Sequence, residues 1–131
     1  MDVEIKRVVV SERQHGVALL LAVIEYPVCE LPGGYFNTYY TVMRDNITEW
    51  LYSYEIPRVR TEYSEAVSGI HMPHLARYDY RLKCNVTCAQ DAIAVECDFS
   101  YSRGGSPIKQ STIRQIWNRS DGLMLKRSKK S

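Results

Sequence analysis

Four cysteines and two closely spaced histidines have the strongest capacity for chemistry in this chain of 131 residues. The cysteines are Cys29, Cys84, Cys88 and Cys97. With His71 and His74 they form a set of the ligand types that zinc prefers. Cys84 and Cys88, however, are four residues apart on a predicted strand, which separates their Cα atoms by roughly 13 Å. One zinc ion cannot easily bind both, and the sequence predicts no metal site and no cofactor.

Cys84 and Cys97 form the cysteine pair with the best-defined geometry. In the strand register that side-chain alternation predicts, they face each other at a non-hydrogen-bonded position, where side chains approach most closely. A cross-strand disulfide fits such a position. In a reducing compartment both residues remain thiols and pack as small apolar side chains. The sequence favours the core thiol pair and leaves the disulfide open.

His71 and His74 could each act as a general base in an enzyme. Nucleophilic catalysis also needs a serine or cysteine nucleophile in a recognisable local arrangement. The sequence contains no G-x-S-x-G motif and no glycine-rich phosphate loop. Asp45 and Glu49 lie one helical turn apart on a predicted solvent-facing side and are not a glycosidase pair. The sequence therefore predicts no catalytic residue, and an enzyme that uses the His71/His74 loop is the alternative hypothesis.

The charge distribution limits the classes of partner. The net charge of +2 is too small to indicate a nucleic-acid-binding protein. Basic residues cluster only at 126–131, which we expect to be a disordered tail after a single domain at 1–125; binding of an anionic surface by this tail is the alternative. The apolar run at 17–24 is far shorter than the roughly 20 residues that span a bilayer. Because no signal peptide is visible, we expect a cytoplasmic protein, or an extracellular one if a leader was removed.

Two alternating segments position the cysteine pair. From Tyr78 to Cys88 and from Ile93 to Tyr101, apolar and polar residues alternate, which is typical of strands with one buried face. A two-residue turn at Gln90-Asp91, or a four-residue loop around it, places Cys84 opposite Cys97. A register that differs by one residue would send a whole apolar set to the solvent face. The sequence therefore predicts this register.

The remaining pattern predicts an α+β fold. Val3 to Val10 and Val17 to Tyr26 are predicted strands, and the uninterrupted apolar middle of the second indicates burial on both faces. An amphipathic helix of about five turns is predicted from Phe36 to Tyr54. Pro57 then halts or kinks it before a shorter helix from Arg58 to Val67. The expected apolar stripe of the long helix is Phe36, Tyr40, Met43, Ile47, Trp50 or Leu51, and Tyr54.

The last predicted strand, Ile108 to Asn118, has two alternative faces. A two-residue turn at Gly104-Gly105 would turn Arg114 and its even-numbered neighbours to the core. One extra turn residue would instead bury Trp117 with Ile113 and Gln115. Burying Trp117 is more favourable than burying Arg114, so we expect the second arrangement. The predicted fold is one long helix packed on an antiparallel sheet of four to five strands, with a C-terminal three-stranded meander.

Several short motifs, in this order, resemble the N-terminal half of the RsiV-like family. They are Tyr26-Pro27, Phe36-Asn37-Thr38-Tyr39-Tyr40, the hairpin, Gly104-Gly105, and Ile116-Trp117-Asn118 before Asp121-Gly122-Leu123. The resemblance covers about Val17 to Leu125. This bacterial family includes the extracellular parts of RsiV-type anti-sigma factors and the accessory domain of PdaC-type peptidoglycan deacetylases. The family usually continues into a second α+β segment, which does not follow in this sequence.

The resemblance implies a non-catalytic binding or sensing module whose partner is a protein or a cell-wall ligand. No family catalytic residue carries over to this chain. Ten tyrosines could contribute to a binding surface, since tyrosine combines apolar area with a hydroxyl group. The candidates off the main helical stripe are Tyr35, Tyr39, Tyr52 and Tyr63. We favour the alternative that the tyrosines surround the core where the helix meets the sheet.

Overall fold

A computed structural model describes residues 3–69 and 76–130. Within these ranges six strands form one sheet in the order β1-β2-β3-β4-β5-β6. The strands are β1 (Glu4–Gln14), β2 (Val17–Val28), β3 (Tyr78–Cys88), β4 (Ala92–Arg103), β5 (Ser106–Asn118) and β6 (Met124–Lys130). Neighbouring strands are antiparallel except for β2 and β3. These two are parallel because a long helical crossover between them brings the chain back to the end of the sheet at which β2 begins.

The fold is α+β with a mainly antiparallel sheet, but the predicted strand number is wrong. The sheet has six strands instead of four to five, it is mixed, and its C-terminal meander has four strands. The missed strand is β6, in the segment where a disordered tail was expected from residue 126. Its run of Lys and Arg hides the alternation of a strand. Cations on an edge strand also discourage pairing with another chain.

The crossover contains a helical stretch of 37 residues. A short 3-10 turn (Pro32–Gly34) leads into α1 (Tyr35–Trp50), a π-helical turn (Leu51–Glu55) and α2 (Ile56–Ser68). Pro57 therefore does not halt the helix. The Ile56 N–H bonds to the carbonyl of Leu51, five residues earlier, so the helix widens just before the proline ring.

The π-helical turn also changes which residues face the sheet. Phe36, Tyr40 and Leu51 are fully buried, as the predicted stripe requires. Trp50 is 38% exposed and Tyr54 is 69% exposed, so Leu51 is the correct alternative and Tyr54 does not belong to the buried stripe. The extra residue of a π turn rotates the following side chains around the helix axis.

The predicted hairpin register is confirmed. Cys84 pairs with Cys97, and Leu82 pairs with Phe99. The loop is closed by a 2.8 Å hydrogen bond from the Ala89 N–H to the Ala92 carbonyl. A register shifted by one residue would have buried charged residues of one strand. Side-chain alternation alone is therefore sufficient to select the observed pairing.

The predicted face of β5 is also confirmed, but the extra residue lies elsewhere. Trp117 is buried opposite Ile93. Gly104 and Gly105 form a two-residue turn with φ angles of 57° and 84°, a backbone conformation that glycine adopts without a steric penalty. The register shifts between Tyr101 and Ser102, so the extra residue is a β-bulge in β5 and not part of the turn.

Among residues 3–69 and 76–130, the helix covers one face of the sheet and nothing packs over the other. On β2, Leu20, Ala22 and Ile24 are buried under the helix, whereas Leu21 and Val23 on the other face are half-buried. The prediction that β2 is buried on both faces is therefore wrong. An apolar run is compatible with one or two covered faces, and the number depends on how many layers the fold contains.

Candidate functional site

An open cleft lies between α1 and the inner face of β3–β6, with a volume of about 550 Å³. It exists because the helix packs mainly against β2 and leaves the far side of the inner face uncovered. Its helix wall comprises Tyr39, Met43, Ile47 and Trp50, and its sheet wall includes Leu82, Phe99, Tyr101 and Ile113. Mostly apolar clefts of about 300–1,000 Å³ are typical of small-molecule sites.

The floor of the cleft contains a buried hydrogen-bonded chain. The Trp117 indole N–H donates to the Tyr40 hydroxyl oxygen over 2.9 Å, and the Tyr40 hydroxyl donates to Gln115 Oε1 over 2.7 Å. The Cys97 thiol donates to the same Gln115 oxygen over 3.6 Å. The indole can only donate, so the single Tyr40 proton is directed to Gln115. Burial raises the pKa of Tyr40 and keeps this proton in place.

The hydrogen bonds from Tyr40 and Cys97 leave the NH₂ group of Gln115 available. The side chain is 1% exposed and lines the cleft. Its Oε1 atom accepts from Tyr40 and Cys97, while its NH₂ group donates to no side chain or carbonyl among the described residues. A carboxamide nitrogen carries two donors. A ligand oxygen in the cleft could accept from this group.

The mouth of the cleft is positively charged. Lys109 and Arg127 line it, together with Asn46 and Ser111. In the described part of the chain neither cation forms an ion pair, and none of the lining residues is acidic. The site is therefore an apolar cleft with a polar group at its floor and two cations at its opening.

A polar cluster closes one end of the cleft, next to Trp50 and Tyr101. Glu55, 8% exposed, accepts hydrogen bonds from Tyr80 and from Arg58, whose Nη2 is 2.6 Å from Glu55 Oε2. The Tyr80 and Tyr101 rings stack with centroids 4.5 Å apart, and Trp50 meets Tyr80 edge-on. These contacts join the π-helical turn to β3 and β4, so the cluster holds the cleft walls together.

The protonation of this cluster follows from its contacts. Burial raises the pKa of Glu55, but the hydrogen bonds from Arg58 and Tyr80 outweigh it, and the pKa is lowered. Burial and the hydrogen bond to Glu55 raise the pKa of Tyr80, so its hydroxyl remains a donor. Glu55 is therefore a carboxylate held by two donors, which suits a structural ion pair better than a catalytic acid.

Cys84 and Cys97 are free thiols in the structure, with sulfur atoms 3.7 Å apart. The Cys84 thiol donates to the Glu25 carbonyl oxygen over 3.3 Å. The contact with Cys97 and burial raise the pKa of Cys84. A protonated, buried thiol is a poor nucleophile. Cys97 lines the cleft floor, so this pair supports the site through packing and its bond to Gln115.

The other residues singled out from the sequence contribute less to the cleft. His71 and His74 lie outside the described residues. Tyr39 lines the cleft, whereas Tyr35 and Tyr52 are 53% and 58% exposed. Tyr63 instead contacts His15 Nδ1, with its hydroxyl 3.2 Å away.

Gln115, Lys109 and Arg127 are the site residues that the sequence did not single out. The available signal was one polar residue, Gln115, between Ile113 and Trp117 on a predicted apolar face. The two cations carried no local signal, because their position at the cleft depends on the strand pairing. Neither Lys109 nor Arg127 belongs to a recognisable sequence motif.

Across residues 3–69 and 76–130, no group of three or more His, Cys, Asp or Glu side chains is arranged to hold a metal ion. None of the helices in these ranges is long and apolar enough to cross a membrane. No protein-family model matches the chain, and no curated protein is detectably similar to it.

Proposed function

We propose that this protein is a non-catalytic binding or sensing module whose ligand is a small, largely apolar molecule held in the cleft between α1 and β3–β6. The observation that carries the proposal is Gln115, whose side chain lines the floor of an open apolar cleft. Its Oε1 atom is engaged by Tyr40 and Cys97, and its NH₂ group, which donates to no acceptor among the described residues, is open to the cleft. Ligand pockets typically combine apolar walls with a few well-placed polar groups of this kind.

The accessibility of the Gln115 NH₂ group supports a binding role. No fully buried side-chain nitrogen or oxygen of the described residues lacks a hydrogen-bond partner, so this NH₂ group reaches the open space of the cleft. Water can satisfy such a donor in an empty cleft, and a ligand carbonyl or hydroxyl oxygen can replace that water. The chain from Trp117 through Tyr40 holds the amide in one orientation, so its donors are directed before a ligand arrives.

The lining supports binding in preference to catalysis. Among its described residues there is no histidine and no carboxylate. The nearest carboxylate in the polar cluster, Glu55, is held by Arg58 and Tyr80. Histidine is the commonest general acid or base, and carboxylates are also used. The lining offers instead the hydroxyls of Tyr39 and Tyr101, Lys109 at the opening, and the Cys97 thiol, which donates to Gln115. The resemblance to RsiV-like domains, which stays a prediction, is compatible with such a module.

A neutral, environment-sensitive dye tests the proposal. Nile red should bind the folded protein with increased fluorescence. The Ile113→Trp variant, which fills the cleft, should weaken this binding by about tenfold or more. Ile116→Trp is the matched control, because Ile116 is on the same strand and its side chain points to the opposite face. It should bind the dye like the wild type.

Three results would contradict the proposal. Either the wild type does not bind Nile red, or Ile113→Trp and Ile116→Trp reduce binding equally. Circular dichroism and thermal denaturation of each variant separate loss of the site from loss of the fold. A folded Ile113→Trp protein with unchanged dye affinity would also exclude the cleft as the site.

A further inference from the structure

We infer that the ligand of the cleft is an amphipathic carboxylate, with its apolar body between α1 and the sheet and its carboxylate at Lys109 and Arg127. This inference rests on the proposed binding function and adds the chemical class of the ligand. It is carried by the positions of the two cations, by the charges around them and by the apolar surface behind them.

Strand pairing places both cations on the inner face. Lys109 pairs with Tyr101, and Arg127 pairs with Gln115, both of which line the cleft. Side chains alternate between faces along a strand, so Lys126, which pairs with Ile116, points to the outer face. Lys129 pairs with Ile113 and adds a third positive charge on the inner face of β6.

The positive charge at the mouth is not neutralised by the surrounding described residues. Three acids of the helix are engaged elsewhere: Glu55 pairs with Arg58, Glu62 with Arg103, and Asp45 with Arg44. The other two, Glu49 and Glu65, are exposed and do not line the cleft. The inner face of β3–β6 carries no acidic residue. Unpaired cations next to an apolar cleft attract a ligand of opposite charge.

The two ends of the site suit different parts of one molecule. An arginine can bind a carboxylate through two parallel N–H···O bonds, and a lysine adds a point charge. Beneath them, the half-buried side chains of Phe99, Ile113 and Met43 present apolar surface. At the floor the Gln115 NH₂ group can bind a second oxygen on the apolar body. A recessed cleft of this kind admits a small molecule more readily than a flat membrane surface or a nucleic-acid backbone.

Three probes built on a ten-carbon chain, which in the first includes the carboxyl carbon, test the inference: decanoate, decanol and decyltrimethylammonium. Isothermal titration calorimetry at low ionic strength should show decanoate binding about tenfold more tightly than decanol, with decyltrimethylammonium weakest. In the Lys109→Gln/Arg127→Gln double variant, decanoate affinity should fall to that of decanol. Decanol affinity should not change, because the apolar walls are intact.

The matched control is the double variant Lys83→Gln/Lys126→Gln. It removes the same amount of charge from exposed positions on the outer face of the sheet. It should keep the preference for decanoate. Thermal denaturation of both variants should match the wild type, since all four side chains are exposed.

The outcomes distinguish this inference from the proposed function. Equal affinity for decanoate and decanol in the wild type would overturn the carboxylate and leave the apolar cleft as the binding site. An equal loss of decanoate affinity in both double variants would show a general charge effect and also overturn it. Failure of all three probes and of Nile red to bind would overturn both proposals.

Discussion

The Tyr40 hydroxyl donates a 2.7 Å hydrogen bond to Gln115 Oε1, which joins the buried side of α1 to the middle of β5. This bond crosses 75 residues of sequence and lies beneath the cleft. It couples the stability of the helix–sheet contact to the orientation of the one polar side chain at the floor.

Removing the Tyr40 hydroxyl should destabilise the protein. In Tyr40→Phe, the Trp117 indole N–H loses its acceptor and Gln115 Oε1 loses a donor, both in a buried environment. We expect the free energy of unfolding to fall by about 1–3 kcal/mol in urea denaturation. Tyr35→Phe, at an exposed position of the same helix, should have almost no effect. Equal effects of the two variants would contradict a structural role for the buried chain.

Glu55 should make the stability depend on acid pH. Its folded-state pKa is lowered, so its contribution is present above the unfolded value of about 4.3 and is lost as pH falls through the folded-state pKa. Glu55→Gln should therefore destabilise the protein at neutral pH, and its effect should shrink progressively as pH falls below the unfolded-state pKa. Urea denaturation across this range measures the difference.

Glu49→Gln is the control for this pH dependence, because Glu49 is exposed on the same helix. Its difference from the wild type should be small at every pH. If the destabilisation by Glu55→Gln were the same at acid and neutral pH, the ion pair with Arg58 would not be the source of the effect.

The four thiols should differ in reactivity. Cys88 is exposed, whereas Cys29, Cys84 and Cys97 are buried, and the pKa values of Cys29 and Cys84 are raised, with burial a cause in each case. Iodoacetamide should therefore modify Cys88 first in the native, reduced protein, as measured by mass spectrometry of peptides. In urea all four should react at similar rates. Modification of Cys84 as fast as Cys88 in the native state would contradict the buried pairing.

Gly122 should be intolerant of any side chain. Its φ angle is 74°, and a Cβ atom there would collide with the backbone carbonyl of Pro32 at the start of the helix. Gly16 has a similar φ of 80° but open space around it. Gly16→Ala should lower the free energy of unfolding by about 1–2 kcal/mol through backbone strain alone. Gly122→Ala should cost more in the same denaturation experiment, and equal costs would exclude the collision.

Local pattern was sufficient for several features of the fold. The register of Cys84 with Cys97, the face of β5 that buries Trp117, and the helix beginning near Phe36 all follow from the period of apolar side chains. A shift of one residue would move every side chain of a strand to the wrong face. Such features can be predicted because a wrong choice carries a penalty at many residues at once.

The missed features of the fold depend on contacts between distant segments. The sixth strand was missed because Lys126 and its basic neighbours resemble a solvated tail until β5 provides an edge to pair with. The continuation of the helix past Pro57 depends on a π turn that also places Glu55 against Tyr80. Neither feature has a periodic signal of its own.

The sequence by itself determined the alternation that buries one face of each meander strand and places Gln115 on that face. Only the tertiary structure decided that the helix packs mainly against β2, leaving an open cleft above Gln115, with Lys109 and Arg127 at its mouth. The physical reason is that side-chain alternation specifies a face locally, whereas a cleft depends on how one layer crosses another. The positive charge at the mouth of the cleft depends in turn on the pairing of β4 with β5 and of β5 with β6, which brings Lys109 and Arg127 to the part of the sheet that the helix leaves uncovered.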